Sequence, residues 1–457
     1  MKMMLSEIAG RVRGKQIGAD IAITSTCIDT RAIKPGQLYV AIKGHQFDGN
    51  DFVDQAVQAG AIAAIVHPGF AVTVPHIIVE DTRLALAELA GAWRQKAAVS
   101  VIGVTGSNGK TTVKEMTAAI FGASDPKQDN VLYTQGNLNN DIGVPLTLLR
   151  LNGGHHYAVI EMGANHPGEI AHTSRYVQAD VVILNNAGAA HIEGFGSLDG
   201  VAKAKGEIIG TLKKDGCAVL NRDDAYFDYW KSVAGDRKIL SFGLDGQADV
   251  SASAIKTAIV DNAFVTTFEI VTSQGTQTCV LKLAGRHNVV NALAATAAGL
   301  ALNIGLAQIV RGLANVKPVT GRLQPLVGRL GNIIIDDSYN ANAASLKAGL
   351  DVLAECAGQP WLVLGAFGEL GPDSLKIHQE IAGLIKASGV VRLLTTGSDT
   401  RNTVQAFGNG ATFFDQQDDL ITVLKQELKG DETILIKGSR SQRMENVAAA
   451  LVDNFRN

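Results

Sequence analysis

The feature that most constrains this chain is the string Thr105-Gly106-Ser107-Asn108-Gly109-Lys110-Thr111-Thr112, which follows the apolar run Val101-Ile102-Gly103-Val104 and precedes a helical pattern. A strand, a glycine-bearing turn and a helix N-terminus in direct succession make a phosphate cradle. Gly106 and Gly109 let backbone N–H groups converge on phosphate oxygens, and the helix start adds partial positive charge. Lys110 can reach the β- and γ-phosphates, and the Thr111 hydroxyl can ligate Mg²⁺. One departure from the generic pattern is Val104, which stands where a first glycine is usual. The string predicts an ATP or GTP site at the carboxyl end of a parallel sheet.

Apolar runs alternate with helical stretches along the rest of the chain. In the first unit, runs at 38–42, 61–66 and 76–79 alternate with helical segments at 51–59 and 82–96. Further strand patterns at 157–160, 181–184 and 217–220 follow the phosphate loop, then a β-branched, alternating stretch at 249–283 reads as antiparallel hairpins. Two prolines and Gly321 mark 315–325 as a linker, beyond which strands at 333–335, 361–364, 391–395 and 433–436 form another α/β unit. The expected organisation is α/β throughout, with units at 1–98, 99–317 and 318–457. The central one is a parallel mononucleotide-binding sheet with an added antiparallel sheet, and the last is Rossmann-like.

Composition narrows the function. With 46% apolar and 19% charged residues the chain reads as soluble and globular, and a net charge of −3 gives no basic surplus for nucleic acid. The most membrane-like window, 288–310, is interrupted by Asn291, Thr296, Asn303 and Gln308, so a buried helix is expected rather than membrane insertion. Glu7, Arg11 and Arg13 interrupt the N-terminal stretch, which does not read as a signal peptide. Cys27, Cys217, Cys279 and Cys356 show no CxxC pairing, which fits a reducing, cytoplasmic setting. The lack of coiled-coil heptads or an identifiable exposed apolar helix leaves the oligomeric state open; the expectation carried forward is a monomer.

Several polar residues stand where a nucleotide enzyme needs them. Glu161 ends the apolar strand Tyr157-Ala158-Val159-Ile160 and can hold Mg²⁺ opposite Thr111, although a lone carboxylate at a strand end is more often a solvated rim residue. His191 follows another strand and, taken alone, reads more readily as structural. Lys203 and Lys205 share a helical stretch but point about 200° apart, so at most one faces the nucleotide. The acids and amides of Asp336-Asp337-Ser338-Tyr339-Asn340-Ala341-Asn342 suit ribose contacts, or a turn with Asx caps.

Together these segments resemble the Mur ligase family, and the resemblance spans essentially the whole chain. It is carried by Asp29-Thr30-Arg31, Pro35-Gly36-Gln37-Leu38-Tyr39-Val40-Ala41, the phosphate loop and Gly136-Asn137-Leu138-Asn139-Asn140-Asp141. It continues in Glu161-Met162-Gly163-Ala164-Asn165-His166, His191-Ile192-Glu193-Gly194-Phe195-Gly196 and Gly285-Arg286-His287-Asn288. The third unit adds the Asp336–Asn342 string and Lys437-Gly438-Ser439-Arg440-Ser441. The Gly136–Asp141 and Asp336–Asn342 strings are particular to the branch that adds D-alanyl-D-alanine to UDP-N-acetylmuramoyl-tripeptide.

The resemblance implies ATP, two Mg²⁺ ions and an acyl-phosphate route to the pentapeptide precursor of the cell wall. Lys110, Glu161, His191 and Lys205 would be catalytic. Thr111 and Glu161 would hold one Mg²⁺, and His191 and a carbamylated Lys205 the other. Asn288 and Asn291 would contact adenine, while Arg322 and Asp337 would reach phosphate and ribose. Thr30, Arg31, Gly44 and His45 would hold the UDP moiety. Asn137, Asn139, Asn140, Asn340, Asn342, Lys437, Ser439 and Arg440 would complete the substrate sites. A third unit that closes over the nucleotide is a physical expectation, because an acyl phosphate must be kept from water. Ala366 replaces the aspartate usual in the family's Gly-Asp-Met-x-Glu-Leu-Gly string. Two alternatives are a folylpolyglutamate-type ligase, which would not carry the two branch-specific strings, and a non-catalytic nucleotide switch.

Overall fold

The computed structural model describes residues 1–453 other than 45, 124, 126–128, 189–191, 262, 369 and 371–373. His45 and His191 of the expectations above lie outside the described residues.

The phosphate-loop strand Ser100–Thr105 sits inside a nine-stranded sheet, between Tyr157–Glu161 and Val181–Leu184. Val131–Tyr133 forms one edge, and Cys217–Asn221 and Lys238–Phe242 extend the other side, all parallel. Long apolar side chains fill both faces of these strands, as a sheet covered by helices requires. The chain leaves Ser100–Thr105 toward one side and later returns to the other. That change of direction opens a crevice at the carboxyl ends of the strands.

The hairpins expected as an added antiparallel sheet continue this one directly. Phe242 pairs in parallel with Val250, and Val250–Val260, Ala263–Thr272 and Gly275–Leu281 carry the ladder onward antiparallel. The apolar window at 288–310 is the helix Arg286–Ala301, a turn and the start of Leu306–Ala314. Its many alanines let Arg286–Ala301 pack closely on the phosphate-loop helix Lys110–Gly122 and on the sheet. Among the described residues, no helix is long and apolar enough to cross a membrane.

The N-terminal sheet has the order Lys15–Ile17, His76–Ile78, Ala63–Val66, Leu38–Val40 and Thr26–Cys27, with only the first strand antiparallel. Its helix Thr82–Lys96 packs on both sides of the junction. Leu86 and Leu89 belong to the same buried cluster as Val101 and Ile160. The six-stranded C-terminal sheet runs Gln324–Val327, Ile333–Asp337, Glu432–Lys437, Gln359–Gly365, Arg392–Thr396 and Ala411–Phe414. Its first strand starts within the stretch expected to be a linker. Pro325 is tolerated there because the strand is an edge, with one side free of ladder hydrogen bonds.

Candidate nucleotide and ligation site

Register brings the site together. Glu161 lies opposite Val104 and Leu184 opposite Thr105, so three strands end at the phosphate loop. The Thr105 side chain is fully buried and its hydroxyl donates to the Met162 carbonyl at 2.8 Å, bracing the strand ends. At Gly109 φ is +79°, and a Cβ there would stand 2.4 Å from Asn291 Oδ1 and 2.6 Å from Asn185 Nδ2. Only glycine fits that approach.

A set of amides holds the loop open. Asn186 Oδ1 accepts the Asn108 N–H at 2.8 Å, and the Asn186 carbonyl accepts the Ser107 N–H at 3.0 Å. Asn185 Nδ2 donates to the Asn108 carbonyl and to Asn291 Oδ1, each at 2.9 Å. Asn291 Nδ2 in turn donates to Asn288 Oδ1 at 3.1 Å. Asn288 and Asn291 thus join a relay running from the buried helix to the loop. Asn185 and Asn186 belong to no recognisable motif; their signal in the sequence is a pair of amides directly after a buried strand.

Lys110 Nζ donates to the carbonyls of Gly106 at 2.7 Å and Ser107 at 3.2 Å. Burial pushes its pKa down; Glu161 opposes that shift and Arg322 adds to it. Glu161 is 1% exposed. Its Oε1 accepts from Asn139 Nδ2 at 2.8 Å, while Oε2 is buried without a partner among the described residues. A buried carboxylate oxygen in the same cavity lining as the Thr111 hydroxyl suits a hard cation, so the residues present fit Mg²⁺. Lys205 is 2% exposed, whereas Lys203 faces solvent. Lys205 Nζ donates to the Ala164 carbonyl at 3.3 Å and lies 5.2 Å from the Phe195 ring centroid. Burial, reinforced by the charge of Lys110, lowers its pKa to about 7.

The third unit closes the site. Arg322 Nη2 lies 3.4 Å from Thr111 Oγ1, and its guanidinium lies over the Tyr339 ring at 4.3 Å. Asn342 Nδ2 donates to Asn108 Oδ1 at 2.9 Å. Lys437, wholly buried, donates to Asp337 Oδ2 at 2.5 Å and to the Asn340 carbonyl at 3.1 Å. Two adjoining cavities result. One, of about 380 Å³, is mostly apolar and is lined by Thr112, His287, Asn288, Asn291, Val316 and Asp337 among others. Burial lowers the His287 pKa to about 4, which leaves a neutral ring there. The other, of about 300 Å³, is polar and gathers Lys110, Thr111, Asn139, Glu161, Asn340 and Lys437. Asn140 and Asn342 also line the polar cavity, and Asn108 and Arg322 line both.

Other expected site residues are not among those lining either cavity. Thr30 and Arg31 form a short 3₁₀ turn of the first unit, where Arg31 makes a two-pronged ion pair with Asp29 at 2.9 and 2.7 Å. That pairing holds the Asp29 carboxyl down at about 2. Gly44 lies in a neighbouring loop, and its N–H donates to the Phe47 carbonyl at 2.9 Å. Asn137 is exposed in the turn before Asn139. Ser439 Oγ donates to the Ala366 carbonyl at 2.8 Å, and Arg440 pairs with Glu445 at 3.1 Å. Ala366 is tightly enclosed: a Cβ on Gly397 would stand 2.7 Å from its methyl group.

The fold and this site define a phosphate-loop nucleotide-binding protein with a second α/β unit seated on the nucleotide pocket. The chain belongs to the Mur ligase family. The family's middle domain matches residues 104–299, its glutamate ligase domain 321–440 and its catalytic domain 22–94. The UDP-N-acetylmuramoyl-tripeptide--D-alanyl-D-alanine ligase of Escherichia coli (strain K12) is 45% identical, covering 99% of both chains. The Haemophilus influenzae ligase of the same name is 39% identical over the full length of both. Among solved structures, MurF from Acinetobacter baumannii superposes with a TM-score of 0.91 at 34% identity, covering 98% of each chain. MurF from Thermotoga maritima in complex with ADP gives 0.83 at 28% identity, covering 93% of this chain and 96% of that one.

Proposed function

We propose that this chain is an ATP-dependent ligase that joins D-alanyl-D-alanine to UDP-N-acetylmuramoyl-tripeptide in peptidoglycan synthesis. The observation that carries this reading is the polar cavity itself. Around one space stand the phosphate-loop Lys110, Glu161, whose Oε2 has no partner among the described residues, and the third unit's Asn340 and Lys437. The full-length likeness to ligases of that name supplies the substrate class.

A carboxylate has no leaving group, so amide formation in water needs activation. The tripeptide's terminal carboxylate oxygen attacks the γ-phosphorus of ATP, giving an acyl phosphate and ADP. The dipeptide amine then attacks the acyl carbon, loses a proton, and the tetrahedral intermediate expels inorganic phosphate. Lys110 turns from the Gly106 and Ser107 carbonyls to the phosphates and stabilises charge on the transferring group. Thr111 and Glu161 would hold one Mg²⁺, and the family pattern would give the second to His191 and Lys205. When bound, Mg²⁺ would supply positive charge that offsets repulsion between carboxylate and γ-phosphate.

Adenosine occupies the apolar cavity beside Asn288 and Asn291, with Asp337 at the ribose. Thr30, Arg31, Gly44 and His45 hold the UDP moiety. Asn340, Asn342, Lys437, Ser439 and Arg440 serve the dipeptide side, and Asn137, Asn139 and Asn140 the tripeptide side. Lys205 is carbamylated: its neutral amine attacks CO₂, loses a proton and becomes a carboxylate-like ligand. A lysine this deeply buried and held near neutrality is suited to that reaction. The enzyme acts as a monomer in the cytoplasm, where ATP and the UDP-linked precursor are both available.

The test is phosphate release from ATP and Mg²⁺ with UDP-N-acetylmuramoyl-tripeptide, with and without D-alanyl-D-alanine. Release that requires both substrates, with a pentapeptide product by mass, is the expected result. No release with either substrate overturns the reading, and folate substrates would be tried next.

A further inference from the structure

Lys114 lies one turn beyond Lys110 on the helix Lys110–Gly122, and that helix packs against the edge strand Val131–Tyr133. It is 1% exposed and lines neither cavity. Its ammonium donates to the Thr134 carbonyl at 2.8 Å, stands 2.9 Å from Glu115 Oε1 and lies 5.7 Å from the Tyr133 ring centroid. Thr134 is itself fully buried, and its hydroxyl accepts the backbone N–H of Glu161 at 2.9 Å. Burying a cation is costly unless its partners are good, and no phosphate-binding step uses this one. What the contacts accomplish is a cross-link. One residue, Thr134, joins the helix that carries Thr111 to the strand end that carries Glu161.

We propose that Lys114 is a positioning residue for the divalent cation, fixing Glu161 relative to Thr111 through Thr134. The proposal rests on the reading that Thr111 and Glu161 hold Mg²⁺. That ion demands near-ideal octahedral geometry at about 2.0–2.1 Å, so a small drift of Glu161 is felt in metal affinity before it is felt in nucleotide contacts. Groups that orient a metal ligand from behind typically matter by roughly 10–100-fold in affinity.

The test is calorimetric binding of ADP to the full chain, with Mn²⁺ and with metal removed by EDTA. Lys114→Met keeps the stem and removes the ammonium; Thr134→Val keeps the shape and removes the hydroxyl. Each should weaken ADP binding in Mn²⁺ by about tenfold while leaving metal-free binding within about twofold. The double variant should be no weaker than either single one, because both act through one chain of contacts. Equal losses with and without metal, no loss in either, or additive losses in the double variant would overturn the proposal. Thr134→Val keeps the test open if Lys114→Met fails to fold. Glu161→Gln separates the two readings. If it keeps the Mn²⁺ enhancement, the metal assignment falls and the proposal with it. If it loses the enhancement and the other variants keep it, only the role of Lys114 falls.

Discussion

Asn342 Nδ2 donates to Asn108 Oδ1 at 2.9 Å, while the Oδ1 of the same Asn342 accepts the Ser345 N–H at 2.9 Å. One amide therefore caps the helix Ala343–Glu355 with its oxygen and grips the phosphate loop with its nitrogen. Aspartate can do the first and not the second. Asn342→Asp should leave unfolding stability within a few tenths of a kcal/mol, whereas Asn342→Ala should lose about 1 kcal/mol with the cap. Both should weaken ATP binding several-fold, since both lose the donor. Thermal unfolding paired with nucleotide titration separates the roles; wild-type ATP affinity in the aspartate variant would refute the grip.

Lys110 is folded back onto two loop carbonyls at the edge of the polar cavity, from which it turns to the phosphates. Lys110→Ala should cut the turnover rate on the order of 10²–10³-fold, the size of other preorganised electrostatic contacts. Steady-state kinetics on the folded variant checks this. A loss of only a few-fold would mean that the lysine does not act on the transferring group.

For Lys205 the sign of the pH effect follows from a pKa of about 7. Below that value the amine is protonated and cannot attack CO₂; above it the neutral form prevails. Carbamylation and activity should both rise between about pH 6 and about pH 8 at constant dissolved CO₂. The carbamate carbon can be followed by ¹³C NMR after labelling with ¹³CO₂. Lys205→Ala should lose activity and regain part of it with short carboxylates. No rescue, together with an unmodified lysine in high-resolution density, would rule the carbamate out.

Lys437 and Asp337 form a buried pair beneath the third unit's contact with the nucleotide pocket. Removing one partner strands the other charge. Asp337→Ala should destabilise the fold by roughly 3–5 kcal/mol, and adding Lys437→Met should recover much of that loss. Chemical denaturation of the single and double variants decides it; a double variant as unstable as the single would contradict the pairing.

Much of the nucleotide site was legible because its physics is local. The phosphate loop needs a strand, two glycines, a lysine and a helix start within a dozen residues, and Glu161 needs only to end a strand. Helical periodicity showed that Lys203 and Lys205 diverge, yet not which one turns inward; packing of the helix Leu198–Gly210 buries Lys205. The hairpins at 249–283 were legible as antiparallel, but a single parallel pairing, Phe242 with Val250, makes them part of the central sheet. Pro325 marked a break in the chain and proved compatible with an edge strand.

By itself the sequence determined the elements that hydrogen bonding and side-chain alternation set over short spans: the phosphate loop, the buried strands around it and the capped helices. Its motif strings also carried the family resemblance and the substrate class. Tertiary structure alone decided which distant groups meet. Asn185, Asn291 and Asn108 converge because strand register and the packing of Arg286–Ala301 bring three separate segments to one loop. Asn342 and Arg322 reach the nucleotide pocket because the third unit is seated over the same strand ends. Such contacts depend on how whole layers pack, and no local pattern of residues encodes the distance between them.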